Sequence, residues 1–481
     1  MSDLPPQAPP PSEPAESPEP AAARDERLTR DLLARLGRMG VQIGAAGISP
    51  PERRPTTDGV PADAPDALAA SGARASTSVP TPAHANAVPI EQAVPGRGVE
   101  NDFGSCYISV VSRAVDEEHA GERVGEALEA CTSSMAEMAG DPALADLDWA
   151  RTAFVDTETT GLSGAAGTYA FLIGAGRFEN GAFHVRQFFM RHPGEEAAQL
   201  AELEEWVAGC TGLVTFNGKS FDAPLLATRY LMNGRPDPLA GARHLDLLPA
   251  SRRMWRRRLP NCRLVSLEEH VLGLQRVDDV PGWMVPERYL RYQREGDARP
   301  MEGIFRHNAL DILSMVSLVT RLARSWERPE EALAHARDWL SLAKAYERAK
   351  RLDRAMVACQ AALAAGLARP AEVDEAFERL SLAARRQGDW ERAVAIWQDL
   401  VASERPRRLF PFEELAKYHE HRATERDLPA ALAVTERGYV LVEERVIRPR
   451  RGRRQALEDL ARRRDRLRER IERAAGGGTR G

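Results

Sequence analysis

A spacing of 38 residues recurs in the last third of the chain, and it limits the fold more than any single motif does. Trp339 and Phe377, Leu342 and Leu380, and Ala355, Ala393 and Ala431 each stand 38 apart. The aligned segments RAMVACQAAL, RAVAIWQDLV and AALAVTERGY each follow a helix-like stretch and a polar turn such as RRQGDWERA. No strand-like run occurs beyond about residue 330. Small alanines at fixed places let paired helices approach closely. Self-similarity at this period predicts stacked helix hairpins over 330–444, each burying its apolar face on the next. An Arg-rich helix over 445–473 follows, with 13 Arg against 5 acids, and then a Gly-rich tail to 481. That helix either binds nucleic acid or caps the repeats, and its composition is compatible with both.

The first two thirds read differently. Residues 1–87 are rich in Pro, Ala, Ser and Glu, cannot bury enough apolar surface to offset ordering entropy, and are expected to be mostly disordered. A short helix near 24–40 carries Leu28, Leu32, Leu33 and Leu36 at helical spacing. Residues 88–147 form an N-terminal extension, with a strand over 105–115 and helix over 118–141. From 148 to 328 strand and helix patterns alternate. Strands are expected at 151–158, 169–178, 183–190, 212–218 and 242–248, and helices at 197–209, 223–234 and 301–325. Antiparallel strands followed by β/α alternation predict an α/β domain, a mixed sheet covered by helices.

Composition removes whole classes of function. The net charge of −5 excludes a wholly basic nucleic-acid binder but not a basic patch. The five cysteines include no CxxC pair, which argues against a zinc ribbon, a thioredoxin-like motif or a secreted disulfide framework. No apolar run approaches the roughly 18 residues of a membrane helix, and no signal peptide is read in MSDLPPQAPP. The expected setting is cytoplasmic, with no membrane partner.

Chemistry concentrates in a few acids. In Phe154-Val155-Asp156-Thr157-Glu158, residues two apart on a strand share a face, so Asp156 and Glu158 converge at the end of an apolar strand. Packed acids repel and are costly to desolvate unless a cation neutralises them, and hard divalent cations prefer carboxylate oxygens. The plainer alternative is a solvated strand end. Asp222 follows a strand in FNGKSFD and is either a site acid or a helix N-cap. His307 and Asp311 are four apart on one helical face, as site residues or as a surface pair.

Taken in order, these segments resemble the DEDD superfamily of 3′–5′ exonucleases, and more closely its YprB-type ribonuclease H-like family. The segments VDTETTGLSGAAGTYAFLIGAGRF, TFNGKSFDAPLL, HLDLLPASRRMW, DDVPGWMVPERYL and HNALDILSM carry the resemblance over about 150–325. The C-terminal repeats are similar to tetratricopeptide repeats, though the period is longer than the usual 34 residues. The implied fold is an α/β ribonuclease H-like domain, a mixed sheet covered by helices, followed by an all-α helical-repeat domain and preceded by a disordered N-terminus. The resemblance implies a nuclease in which Asp156, Glu158, Asp222 and Asp311 hold two Mg²⁺ or Mn²⁺ ions roughly 4 Å apart. His307 would orient or deprotonate the attacking water, as imidazole suits near-neutral pH. Its spacing of three residues from Asp311 belongs to the subclass that uses Tyr, while its identity belongs to the other.

Substrate contacts are expected from Thr159, Asn217 and Lys219, with tight-turn and simple-exposure readings equally open for Thr159 and Lys219. Asp246 is either a supporting acid or an organiser of its strand end. The basic run Arg252, Arg253, Arg256, Arg257, Arg258 and Arg263 is expected to track nucleic acid, DNA or RNA. Gly218-Lys219-Ser220 resembles the end of a phosphate-binding loop, but Leu213 occupies the place of the required first Gly. The remaining alternative is a catalytically inactive scaffold whose repeats bind a protein partner.

Overall fold

The computed structural model describes residues 86–161, 167–402, 406–423 and 426–476. The expected N-terminal tail up to residue 85, with its helix near 24–40, and the tail from 477 lie outside the described residues. The chain first forms strands β1 (Arg97–Asn101) and β2 (Gly104–Ala114). Two-residue strands β3 (Glu118–His119) and β4 (Glu122–Arg123) pair as a small second sheet, and helix α1 spans Thr132–Ala139. This corrects the expectation of continuous helix over 118–141. Ala120 and Gly121 both take positive φ, which makes a tight turn. The hairpin is pinned because buried Glu122 accepts from Arg321 at 2.5 Å and lies 2.8 Å from Arg324.

Then come β5 (Thr152–Thr159), β6 (Ala170–Glu179), β7 (Ala182–Phe189), helix α2 (Glu196–Val207), β8 (Gly212–Thr215), α3 (Asp222–Met232), β9 (Arg243–Asp246), α4 (Leu247–Trp255), α5 (Val285–Glu295) and α6 (Arg299–Glu327). The main sheet has seven strands in the order β1-β2-β7-β6-β5-β8-β9. Pairs from β1 to β5 are antiparallel, whereas β5, β8 and β9 run parallel. Alternation along β5 sets its two faces. Ala153 and Val155 pack under α2 and α3 with Leu200, Leu203 and Tyr230. Phe154 packs on the other face with Ile312 and Leu313 of α6.

The remainder is helical: α7 (Ala336–Arg348), α8 (Leu352–Ala364), α9 (Pro370–Gln387), α10 (Trp390–Ala402), α11 (Phe410–His421), α12 (Leu428–Glu443) and α13 (Arg453–Gly476). Each helix packs on the next in sequence. Fully buried alanines at 355, 358, 362, 376, 383, 384, 393 and 431 provide the close approach. One buried cluster runs without a break from the sheet through Leu322 and Trp326 into Trp339, Leu340 and Tyr346 of the array. Tyr346 Oη donates to Trp326 O at 2.5 Å, and the two rings lie 4.6 Å apart.

The arginines of α13 are mostly spoken for. Arg466 lies 3.0 Å and Arg470 2.6 Å from Glu420, a carboxylate buried on α11. Arg468 reaches Glu436 at 2.5 Å, and Arg451, just before the helix, reaches Glu413. Of the two alternatives left open for this helix, capping the repeats is the one these contacts support.

Candidate active site

Strand β5 places Asp156 and Glu158 on the face that carries Phe154, towards α6. Asp156 pairs across to Gly174 of β6. A Cβ on Gly174 would lie 2.2 Å from Asn308 Oδ1, so only glycine admits the Asn308 side chain here. Asn308, fully buried on α6, donates through Nδ2 to Asp156 Oδ2 at 2.9 Å and to its carbonyl at 3.3 Å. Gln187 of β7 in turn donates to Asn308 Oδ1 at 2.9 Å, which fixes the amide's orientation.

Asp222 arrives from the β8–α3 connection. It is the first residue of α3, not its cap, because Phe221 holds that position without a capping hydrogen bond. Its carboxylate accepts from Thr157 Oγ1 at 2.6 Å, which joins α3 to β5 between Asp156 and Glu158. The connection is shaped by Asp246, which accepts from Asn217 N–H at 2.8 Å, Leu248 N–H at 3.0 Å and Lys219 N–H at 3.2 Å. Asn217 takes a φ of 70°, which ends β8 at Thr215, earlier than expected. Asp246 thus organises the strand end.

Helix α6 supplies His307 and Asp311. The His307 ring donates from Nδ1 to Asp279 at 2.8 Å, and its Nε2 lies 3.7 Å from Asp311. Arg276, whose side chain is 3% exposed, lies 2.5 Å from buried Glu268 and 3.1 Å from Asp279, and also pairs with Asp311. Sequence reasoning did not single out Arg276, Asp279, Glu268, Asn308 or Gln187. Asp279 and Asn308 lie in segments that carry the resemblance, and Gly174-Ala175-Gly176 inside a strand marks a close approach.

The acids act on one another. Asp156 holds its proton well above the usual carboxylate range, through burial first and then the charges of Asp311, Glu158 and Asp222. Glu158 is raised in the same way, by burial, Asp311, Asp222 and Asp279. Burial lifts Asp222 to about 6 against its hydrogen bonds from Thr157. For Asp279, burial is outweighed by hydrogen bonds and charge from His307 and Arg276, and its pKa falls. Burial likewise works against the Arg276 proton but loses to Glu268 and Asp311, which hold it more tightly.

The remaining expected residues lie at varied distances from this cluster. Thr159 Oγ1 donates to Gly161 O at 2.7 Å, as a tight turn requires. Lys219 is exposed, with its ammonium 3.7 Å from Asp141. Arg252 and Arg253 sit on α4 and line a separate cavity with residues of α7, not the acidic cluster. Of the same basic run, Arg257 is bound to Glu375 at 3.0 Å through both terminal nitrogens, and Arg258 to Asp338 at 2.8 Å. Those two fasten the array to the sheet domain.

The donor chemistry of Asp156, Glu158, Asp222 and Asp311 fits hard divalent cations, since all are carboxylates held together against repulsion. Among the described residues, however, no three His, Cys, Asp or Glu side chains are grouped so as to hold an ion as they stand. Three of the four carboxylates already have partners. Asp156 is engaged by Asn308, Asp222 by Thr157 and Asp311 by Arg276.

Residues 153–323 match the RNase_H superfamily. That span runs from β5 to the last turns of α6 and contains all four acids, while the helical array lies outside it. The chain is also 32% identical over 274 residues to a protein described as uncharacterized protein YprB of Bacillus subtilis (strain 168). That similarity covers 56% of this chain and 65% of the relative's length. Among the described residues, no helix is long and apolar enough to cross a membrane.

Proposed function

We propose that the ribonuclease H-like domain, over 148–328, is a metal-dependent phosphodiesterase that hydrolyses nucleic acid from its 3′ end. The observation that carries this reading is that Asp222 and Asp311, from two other segments of the chain, act by their charge on the buried carboxyls of Asp156 and Glu158. Concentrated carboxylate charge of this kind is costly to fold and is relieved by cations. Asp156, Glu158, Asp222 and Asp311 would hold two Mg²⁺ or Mn²⁺ ions. When bound, these supply a Lewis acid for the scissile phosphate and a lowered pKa for the attacking water.

The chain's own residues do the rest. Asn308 keeps one Asp156 oxygen oriented, and Thr157 does the same for Asp222. Asp279 fixes the His307 ring with Nδ1 as the donor, which leaves the Nε2 lone pair towards Asp311 to take a proton from water. Arg276 pairs with Asp311, and that pair would have to open for Asp311 to hold an ion. Asn217 and Lys219, on the loop that Asp246 shapes, face the terminal nucleotide. The helical array, which resembles tetratricopeptide repeats, offers a surface for a protein partner.

Cleavage of 5′-labelled single- and double-stranded DNA and RNA, compared in Mg²⁺, Mn²⁺ and EDTA, tests the reading. The expected result is a metal-dependent ladder that shortens from the 3′ end and is lost in Asp156→Ala and Asp311→Ala. Internal cuts would move the assignment to an endonuclease. No cleavage, with normal folding and no metal-induced stabilisation, would leave the scaffold reading in its place.

A further inference from the structure

The basic run on α4 does not end at the sheet domain. A cavity of about 570 Å³ opens between α4 and the first helices of the array. Arg252, Arg253 and Arg256 line one wall, and Lys344, Arg348 and Arg369 the other. Arg252, Arg256, Lys344, Arg348 and Arg369 are exposed and have no ion pair among the described residues. The one acid in the lining, Glu372, is taken by Arg337 at 3.1 Å. None of the lining residues is aromatic.

Arg253 donates to Met138 O at 3.3 Å. Its proton is held less tightly than usual, through burial and the nearby charge of Arg348. Like charges are therefore brought together from two parts of the fold, on a protein whose net charge is −5. Such a concentration is unfavourable alone and favours a polyanion. The cavity is separate from the acidic centre, but one short segment touches residues of both neighbourhoods. The segment 138–141 touches Arg253 through Met138 O and Lys219 through Asp141, and Lys219 belongs to the loop that leads to Asp222.

We propose that this cavity binds the phosphate backbone of the nucleic acid whose end is hydrolysed at the acids, with the array supplying half of the contacts. The proposal rests on the nucleic-acid reading of the acidic site. With phosphate-seeking cations and no ring for base stacking, the contact is blind to sequence. The array is then part of the substrate path and not only a surface for proteins.

The test is equilibrium binding of a fluorescein-labelled 30-nucleotide single strand and a 30-base-pair duplex to the full chain. EDTA keeps the strand intact, and binding is followed from 50 to 200 mM salt. Lys344→Glu with Arg348→Glu alters one wall, and Arg252→Glu with Arg256→Glu alters the other. Each pair is expected to weaken binding at least tenfold and to lower the slope of log K against log salt by about 1.4 to 1.8, as for two lost phosphate contacts. The charge-matched control, Arg437→Glu with Arg454→Glu on α12 and α13, should leave the slope in place. Equal losses in the control pair would mean bulk charge only and would overturn the proposal, as would wild-type affinity in both cavity pairs. A chain that cleaves nucleic acid yet binds identically in all variants refutes the cavity alone. A chain that binds through the cavity but cleaves nothing refutes the catalytic reading alone.

Discussion

At the scale of single residues, the acidic centre is costly to assemble. Burial and three neighbouring charges disfavour an ionised Asp156. Asp156→Asn is therefore expected to raise the melting temperature in EDTA, by about 1 kcal/mol of stability, and to abolish the extra stabilisation that Mg²⁺ gives the wild type. Thermal melts with and without metal measure both. Asn308→Ala removes the donor to Asp156 and one of the two acceptors of Gln187, at a cost of about 1–3 kcal/mol in urea unfolding.

Histidines set the acid limit. Burial pulls His119 and His244 down to about 4, so both stay neutral in the fold while the unfolded chain binds their protons near pH 6.5. Their contribution is complete above pH 6.5 and is lost as pH falls towards 4. His119→Gln and His244→Asn should each flatten the slope of stability against pH in that window by up to about 1.4 kcal/mol per pH unit, read from urea midpoints at each pH. Part of the centre was legible at this scale. A period of two put Asp156 and Glu158 on one face, whereas the strand running into a helix pointed to Asp222 as a cap, and only the family resemblance joined it to the other acids. Arg276 and Asn308 were not legible. Arg276 meets Asp311 across 35 positions and Asn308 meets Asp156 across 152, and no local pattern encodes either.

At the scale of elements, the strand and helix patterns found most of the pieces because their apolar periods were strong. The failures came where a tertiary contact overrode local preference. Segment 118–123 looked helical, but Glu122 is drawn into a hairpin by two arginines nearly 200 positions away. The arginines of α13 were ambiguous for the related reason that composition cannot say whether a charge meets solvent or a buried acid. Glu420→Ala should release that helix. The expected loss is about 1–2 kcal/mol, modest because Arg466 stays half exposed and is readily rehydrated, with faster amide exchange confined to α13. Gly174→Ala tests the junction of β6 with α6. The added methyl meets both Asn308 and Ile312, so a destabilisation of about 1–3 kcal/mol or more is expected.

At the scale of the whole molecule, the division into a sheet part and a helical part was visible from the loss of strand signal near 330. What the sequence did not disclose is that the two share one interior. Trp326 closes α6 and is covered by Tyr346 of the array. Trp326→Ala is expected to cost about 3–5 kcal/mol and to lower the stability of both parts together. Calorimetry should show one transition in the wild type, and two resolved transitions would contradict the shared core. Such coupling is set by long-range packing, to which a periodicity argument is blind.

Helix α6 has a consequence for what the chain can measure. Its 29 residues make one rod about 43 Å long, with His307 and Asp311 in its first half and the Tyr346 contact near its far end. The acids of α6 and the start of the array are therefore tied to one element. If the basic cavity holds the strand that the acids cut, as proposed, the molecule acts as a ruler: fragments too short to bridge the two lose one of their holds at a sharp length.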